Sequence, residues 1–267
     1  MEAGNLARLQ ERFDSYVARF LDMAPEDVRN IRLKEEHTRR VVAVMEEVCT
    51  GEGLPEQDRL TALACALCHD LGRFPQYRRW RTFRDRDSDN HARLSVEVIR
   101  EERLLAELSA GEQQLIEEAV RFHNMLALPP QYASPHDRFI RLIRDADKLD
   151  IWRVFLEYYR QPAQERASAV GLGFPDLPEV TPACLEALTA GRIVRLDDAR
   201  VLNDFKLLQI SWAYDLNFAT SYRLLHRRQY LQQLAATLPA RPEIAAAVAV
   251  ADAHVRRMMT VPHPRAC

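Results

Sequence analysis

The sequence predicts an all-α protein that forms one large helical domain with a C-terminal helical extension. Apolar residues recur at i, i+3, i+4 and i+7 over most of the chain, which is the spacing of amphipathic helices. Only 8 glycines and 14 prolines occur among 267 residues, which disfavours a fold with many tight turns. With 47% hydrophobic residues and a net charge of -2, the chain is expected to bury a core rather than to be disordered.

Helical periodicity, together with proline and glycine signals, delimits the helices of the first 160 residues. The expected helices are about 4–22, Pro25 to Cys49, Pro55 to Gly72, one starting near Ser88–Asp89, about 111–124, and a long one from Ser134-Pro135 to near Tyr159. Gly72 is interpreted as the glycine that ends its helix. The stretch after it, RFPQYRRWRTFRDRDSD, has no apolar period and is interpreted as a loop.

Prolines and glycines concentrate in residues 161–182, which are interpreted as a loop or linker. Further helices are expected at about 183–190, 198–236 with a break, and 242–259. The predicted organisation is therefore an N-terminal helix at 1–29, a core at 30–160, the linker at 161–182, and C-terminal helices at 183–267 that pack on the core.

The charge balance excludes some classes of partner. Thirty-seven basic residues against 39 acidic ones leave no excess that would favour non-specific binding to nucleic acid or to an anionic membrane. The sequence contains no run of about 18 apolar residues, so no membrane span is predicted. The amphipathic N-terminus does not resemble a signal peptide, and five scattered cysteines do not form a disulfide framework. We expect a soluble cytoplasmic protein, and the sequence leaves its oligomeric state open.

A series of histidines and aspartates carries the chemistry of the first 150 residues. Its members, in chain order, are His37, the adjacent pair His69-Asp70, His91, His123 and Asp147. Asp147 follows Ile143 by four residues, so it is expected to face the core, where a carboxylate is costly unless it is paired or bound to a cation. Imidazole and carboxylate together suit Fe, Mn, Zn, Co or Ni. Two alternatives remain: each histidine alone fits a core or capping role, and Asp145, Asp147 and Asp150 fit a solvated face.

This series resembles the HD-domain superfamily of metal-dependent phosphohydrolases over about residues 30–155. The resemblance rests on His37, on His69-Asp70 and on Asp147 within DADKLD, and the surrounding motifs resemble a group of bacterial HD proteins of undefined substrate. It implies two divalent metal ions (Fe, Mn, Zn, Co, Ni or Mg), with a first metal held by His37, His69, Asp70 and Asp147. Asp70 would bridge to a second metal held by His91 and His123.

The resemblance further implies hydrolysis of a small phosphorylated substrate, a phosphomonoester or phosphodiester such as a nucleotide. Six arginines against three aspartates make residues 73–91 locally positive, which suits a phosphoryl group. The residues expected to be catalytic are Asp70, Arg73 and Lys148. Those expected to bind substrate are Arg73, Gln76, Tyr77, Arg81 and Lys148.

Other functions remain open at this point. The same order of ligands occurs in the mixed-valent diiron oxygenases of the superfamily, and a non-catalytic regulatory metal-binding domain would also fit. Cys65 to His69 matches the C-x-x-C-H haem pattern, but without a signal peptide the two cysteines are expected to pack as small apolar residues. A further hypothesis is that Trp212, Asp215 and Asn217 close the substrate pocket.

Overall fold

A computed structural model shows that the chain is all-α, as predicted. It describes residues 1–125, 136–162 and 173–261, and these contain helices and no strands. Among the described residues, no helix is long and apolar enough to cross a lipid bilayer. The chain divides into two compact units, of which the first spans Met1–Asp150 and the second begins at Ile151.

The described residues of the first unit contain six complete α-helices and the start of a seventh. Their bounds are α1 Ala3–Ala18, α2 Pro25–Gly51, α3 Glu56–Cys68, α4 Arg73–Trp80, α5 His91–Glu101, α6 Ala110–Phe122 and α7 His136–Arg160. Local signals set several of these ends. Pro25 occupies the first turn of α2, where its missing N–H costs nothing. Ser109 caps α6, with Glu112 completing a reciprocal capping box.

Helix α3 lies at the centre of the first unit. All residues from Leu60 to Cys68 are buried, and the helix packs against α1, α2 and α6. A helix that is apolar on every side must be surrounded by others. The residues that follow it, His69 and Asp70, are therefore inside the unit, with 0% and 2% of their surface exposed.

The predicted loop after Gly72 is wrong in its first half, because residues Arg73–Trp80 form α4. Pro75 is tolerated in the first helical turn, where its missing N–H has no intrahelical acceptor to lose. Gln76 is fully buried, and its side chain bonds to residues of the following loop. An apolar period is absent because this helix buries the polar Gln76, whose side-chain amide donates to residues of the following loop.

Gly72 was predicted to end its helix, and this is wrong, since α3 ends at Cys68 and Gly72 lies in the turn after it. Its φ is -65°, an ordinary right-handed value. The structure gives a different reason for glycine, since a Cβ there would lie 2.4 Å from the His91 carbonyl oxygen and 2.5 Å from the Ser95 nitrogen. The missing side chain lets α5 approach the turn after α3. Ser95 Oγ fixes that approach by accepting from Gly72 N–H and donating to the His69 carbonyl.

The second unit is described from Ile151 to Gln161-Pro162 and again from residue 173. Its helices after α7 are α8 Pro182–Thr189, α9 Leu202–Ser211, α10 Ala219–Arg227, α11 Tyr230–Ala235 and α12 Pro242–Met258. Helix α9 is buried from Asn203 to Ser211, and it packs against α8, α11 and α12. The predicted helix at 198–236 is thus three α-helices rather than one helix with one break.

The remaining sequence predictions agree in part with the described structure. The helix expected near Ser88–Asp89 begins at His91, because Asn90 accepts from the Arg93 N–H as its N-cap. The start signal at Ser134-Pro135 and part of the linker at 161–182 lie outside the described residues. The predicted domain boundaries, and the packing of the C-terminal helices on the core, stay predictions.

Candidate metal centre

The six predicted metal ligands come from the ends of helices and from two helix interiors. His37 lies within α2 and Asp147 within α7, whereas the other four lie where helices begin or end. His69 and His123 are the residues that end α3 and α6, Asp70 follows His69, and His91 begins α5. The ends of several helices thus meet inside the first unit, and all four imidazoles are buried.

Each of the four imidazoles has its Nδ1 atom facing a protein oxygen. His37 Nδ1 lies 2.7 Å from Asp150 Oδ2, and His91 Nδ1 lies 2.6 Å from Asp85 Oδ2. For His69 and His123 the acceptors are the carbonyl oxygens of Ala66 and Val120, at 2.7 and 2.6 Å. These partners assign a proton to each Nδ1 and make Nε2 the atom that would bind a cation, an arrangement typical of metal-binding histidines. In this structure His37 Nε2 also bonds to Asp147 Oδ1. Burial alone would lower the pKa of His37, but its hydrogen bonds with Asp147 and Asp150 raise it.

The Nε2 atoms converge in two groups that share Asp70. The first ligand group comprises His37, His69 and Asp70, and the second comprises Asp70, His91 and His123. Asp70 Oδ2 lies 3.7 Å from Nε2 of both His37 and His69, whereas Asp70 Oδ1 lies 3.5 Å from His91 Nε2. The two oxygens of one carboxylate therefore face different sets of imidazoles.

Asp147 lies beside the first ligand group. Its Oδ1 is 3.0 Å from His37 Nε2 and 3.7 Å from His69 Nε2. Burial alone would raise the pKa of Asp147, but the two imidazoles hold that pKa well below its usual range. The carboxylate is therefore ionised and is placed as a further oxygen donor for a cation.

Within the second ligand group, two imidazole nitrogens face each other. His91 Nε2 and His123 Nε2 are 3.1 Å apart. Burial lowers the pKa of His123 to about 3, and burial together with Arg73 lowers that of His91. Both rings are then neutral at pH 7 with protonated Nδ1 atoms, so two lone pairs would point at one another. A cation between them removes this repulsion.

The donor set fits divalent metal ions. His69 Nε2 is buried without a hydrogen-bond partner, which is costly for a polar atom unless a ligand is bound there. The neighbouring donors are imidazole nitrogens and carboxylate oxygens, the combination that first-row divalent ions prefer. Burial alone would raise the pKa of Asp70, but Lys34, His69 and Arg73 hold it well below its usual range, so Asp70 is ionised.

Two carboxylates that orient histidines were not among the predicted site residues. Asp150 is buried and bonds to His37, and Asp85 bonds to His91. Asp145 is fully buried as well, so the alternative that the aspartates of DADKLD alternate on a solvated face is wrong. The spacing of three residues between Asp147 and Asp150 places both on one face of α7, and this was the signal available in the sequence.

Arg73 lies beside the metal ligands, as predicted, but it also holds the neighbouring loop. Its Nε donates to Asp70 Oδ1 at 3.3 Å, and one terminal nitrogen donates to Gln76, to Asp85 and to the Phe83 carbonyl. Lys34, which the sequence reasoning missed, donates from Nζ to Asp70 Oδ2 at 2.9 Å. The two cations thus bind opposite oxygens of the same carboxylate.

Gln76, Tyr77 and Arg81, which were predicted to bind substrate, form hydrogen bonds or ion pairs with other residues near the candidate metal centre. Gln76 bonds to Asp85 and Ser88 and is fully buried. Tyr77 Oη donates to Asp27, and Arg81 forms an ion pair with the same carboxylate. Within the described residues, no hydrogen bond or ion pair joins Tyr77 or Arg81 to the six predicted ligands.

Several predicted features keep an open role in the described structure. Lys148 follows Asp147 in α7 and is half-buried. The substrate roles of Lys148, Gln76, Tyr77 and Arg81 stay predictions. Trp212 and Asp215 are the first and last residues of a short 3-10 helix in the second unit, and Asn217 lies just beyond it. The hypothesis that they close a pocket also stays a prediction.

The cysteines of the C-x-x-C pattern are buried within α3. Cys65 and Cys68 are at most 1% exposed, and burial raises the pKa of Cys68 to about 12. The thiols are thus protonated at pH 7 and pack as small apolar side chains, as predicted. His69 keeps its place in the first ligand group.

Comparison with protein-family models matches residues 35–152 to the HD domain. Comparison with curated proteins and with solved structures gave no significant match. The matched segment contains both ligand groups and Asp147. HD domains bind divalent metals and form a superfamily of metal-dependent phosphohydrolases. Residues 35–152 therefore match an HD domain, the segment of the chain that holds the candidate metal centre.

Proposed function

We propose that this protein is a phosphohydrolase that uses two divalent metal ions to cleave a small phosphate ester. The observation that carries the proposal is the position of Asp70, whose Oδ2 faces His37 and His69 while its Oδ1 faces His91. A carboxylate between two imidazole sets is suited to bridge two ions. When bound, such ions supply Lewis acidity toward the phosphoryl group and lower the pKa of water.

The protein side chains would supply orientation and charge. Asp150 and Asp85 hold the rings of His37 and His91 by their Nδ1 atoms, so the lone pairs on Nε2 point into the site. Arg73, fixed by Asp70 and Asp85, places a guanidinium beside the ligands. A planar guanidinium binds phosphoryl oxygens well. Lys148 is proposed to contribute a further positive charge, and the substrate is proposed to be a small phosphorylated molecule.

Hydrolysis under strict exclusion of oxygen tests this proposal. The protein is depleted of metal, loaded separately with Mn²⁺, Zn²⁺ or Mg²⁺, and assayed against a panel of phosphomonoesters and phosphodiesters. We expect phosphate or alcohol release with at least one of these ions. Turnover that requires iron and consumes dioxygen would instead assign the protein to the diiron oxygenase branch.

The assay needs a control for contaminating phosphatases. Asp70→Asn, purified in parallel, removes the shared carboxylate while keeping its volume. Activity that persists unchanged in this variant does not come from the proposed centre and contradicts the proposal. Absence of turnover with every ion, in protein shown to hold metal, would favour the regulatory metal-binding alternative.

A further inference from the structure

Lys34 is placed at the ligand that both metal groups share. It lies on α2, three residues before His37, so the two side chains share one face of the helix. Its ammonium nitrogen is 2.9 Å from Asp70 Oδ2, and its side chain is only 16% exposed. The chain has three lysines in all, and this one is beside the candidate metal centre.

The ammonium of Lys34 bonds to an oxygen that a cation of the first ligand group would also use. Asp70 Oδ2 is the oxygen that faces His37 and His69, and it is also the oxygen that accepts from Lys34. A divalent ion at that oxygen repels the ammonium, because both are positive. Lys34 must then give up this bond and find another anion.

No other carboxylate forms an ion pair with Lys34 in the described part of the chain. Asp70 is its one ion-pair partner there, and its other contact is the ring of Phe83, whose centroid is 5.4 Å from Nζ. The Phe83 carbonyl accepts from Arg73 at 2.5 Å. One loop residue, Phe83, thus contacts both cations.

We infer that Lys34 binds the phosphoryl group of the substrate and, together with Arg73, selects phosphomonoesters over phosphodiesters. This inference rests on the proposed function. With metal bound, the centre would hold two divalent ions and the side-chain cations Lys34 and Arg73. The carboxylates that face them are Asp70, Asp85, Asp147 and Asp150, so positive charge is in excess. A monoester carries close to two negative charges and a diester only one, so the monoester offsets more of that excess.

The test separates phosphate binding from metal binding. Mn²⁺-loaded wild-type protein and Lys34→Gln are titrated with inorganic phosphate by calorimetry, and their Mn²⁺ content and affinity are measured separately. We expect Lys34→Gln to bind phosphate about 10-fold or more weakly, as befits a lost charge-assisted hydrogen bond. Its Mn²⁺ affinity is expected to be equal or higher, because Lys34 no longer competes for Asp70 Oδ2.

Two further variants control the charge change. Arg32→Gln removes one positive charge from the same helix, at a side chain that pairs with Glu35, and is expected to leave phosphate affinity within about 2-fold. Lys34→Arg keeps the charge and is expected to retain most of the affinity. With p-nitrophenyl phosphate and bis(p-nitrophenyl) phosphate as probes, Lys34→Gln should lose more kcat/KM on the monoester than on the diester.

Several results would overturn the inference. These are wild-type protein that binds no phosphate, Lys34→Gln that binds phosphate as wild type does, and Lys34→Gln that loses Mn²⁺ together with phosphate. The last result would make Lys34 a structural support for Asp70. Wild-type protein that binds phosphate through Lys34 and yet hydrolyses no ester would contradict the proposed function and the selection between esters. The phosphate-binding role of Lys34 would then stand, so the two failures are distinguishable.

Discussion

Asp70 in the first unit and Asp204 in the second are both buried carboxylates, and each needs partners that compensate for the loss of water. The two residues have different kinds of partner. Asp204 is fully buried, and its oxygens accept from the backbone N–H groups of Thr181, Arg200 and Val201 and from the Thr181 hydroxyl. Three of these four donors are fixed by the main chain. A carboxylate satisfied in this way contributes to folding and has no capacity left for a ligand.

Asp70 is just as buried, but its partners are side chains that are themselves ionisable or able to bind metal. They are the Lys34 ammonium, the Arg73 guanidinium and the imidazoles of His37, His69 and His91. Such an arrangement leaves a buried His69 Nε2 without any partner. The comparison teaches that the donors around a buried carboxylate, rather than its burial, separate a structural aspartate from one that awaits a cation.

The largest effect is expected at Asp70. Asp70→Asn should lose at least one of the two metal ions and lower the hydrolysis rate about 1000-fold, because several kcal/mol of charge stabilisation depend on the ions. Helix content by circular dichroism should remain, since the backbone around α3 is held by apolar packing. Normal metal content and a normal hydrolysis rate in Asp70→Asn would contradict the assignment of Asp70 as a metal ligand and leave it a structural aspartate like Asp204.

The reciprocal change is Asp204→Ala, which should destabilise the second unit and spare the metal. Loss of the carboxylate leaves the N–H groups of Arg200 and Val201 and the Thr181 hydroxyl without their acceptor. We expect the free energy of unfolding to fall by about 3 kcal/mol, measured by urea denaturation. Asp252→Ala, at a partly exposed position of α12 with only side-chain donors, is the matched control and should change stability little.

Gly72 tests whether the approach of α5 builds the second ligand group. In Gly72→Ala the new methyl would meet backbone atoms of His91 and Ser95, so stability should fall by about 1–3 kcal/mol and metal content should fall with it. Gly111→Ala is the control, because nothing lies within 4 Å of a Cβ there. Unchanged stability and metal content in Gly72→Ala would show that the close contact with α5 is not needed.

The smallest expected effect is at Asp85, which orients a ligand without touching the metal. Asp85→Asn should weaken metal binding about 10-fold, as is usual when the partner of a metal-binding histidine is altered. Asp87→Asn, in the same 3-10 helix but half-exposed and paired only with Arg84 and Arg86, serves as the control. Equal metal affinities for the two variants would argue against a role for the bond from Asp85 to His91.

Much of the fold could be predicted because its long helices carry regular apolar stripes. Helix α4 could not, since Gln76 is satisfied by Asp85 and Ser88, which belong to the following loop. The reason for a glycine at position 72 could not be predicted either. It is the close approach of α5, which is distant in the sequence.

The six candidate ligands could be selected from their order and residue types, since histidine and aspartate facing a core are costly without a cation. Their supports, Asp85 and Asp150, could not be separated from other acidic residues of charged stretches. Lys34 was missed because nothing in its own helix shows that Asp70 lies 2.9 Å away. Partnership across long sequence distances is visible only once the helices are packed.

Metal stoichiometry tests the central claim most directly. Metal-depleted protein is saturated with Mn²⁺, freed of unbound ion by gel filtration, and analysed for metal and protein by mass spectrometry and absorbance. Two ions per chain are predicted, because Asp70 faces two separate sets of imidazoles. One ion or none per chain would contradict a dinuclear centre built on Asp70.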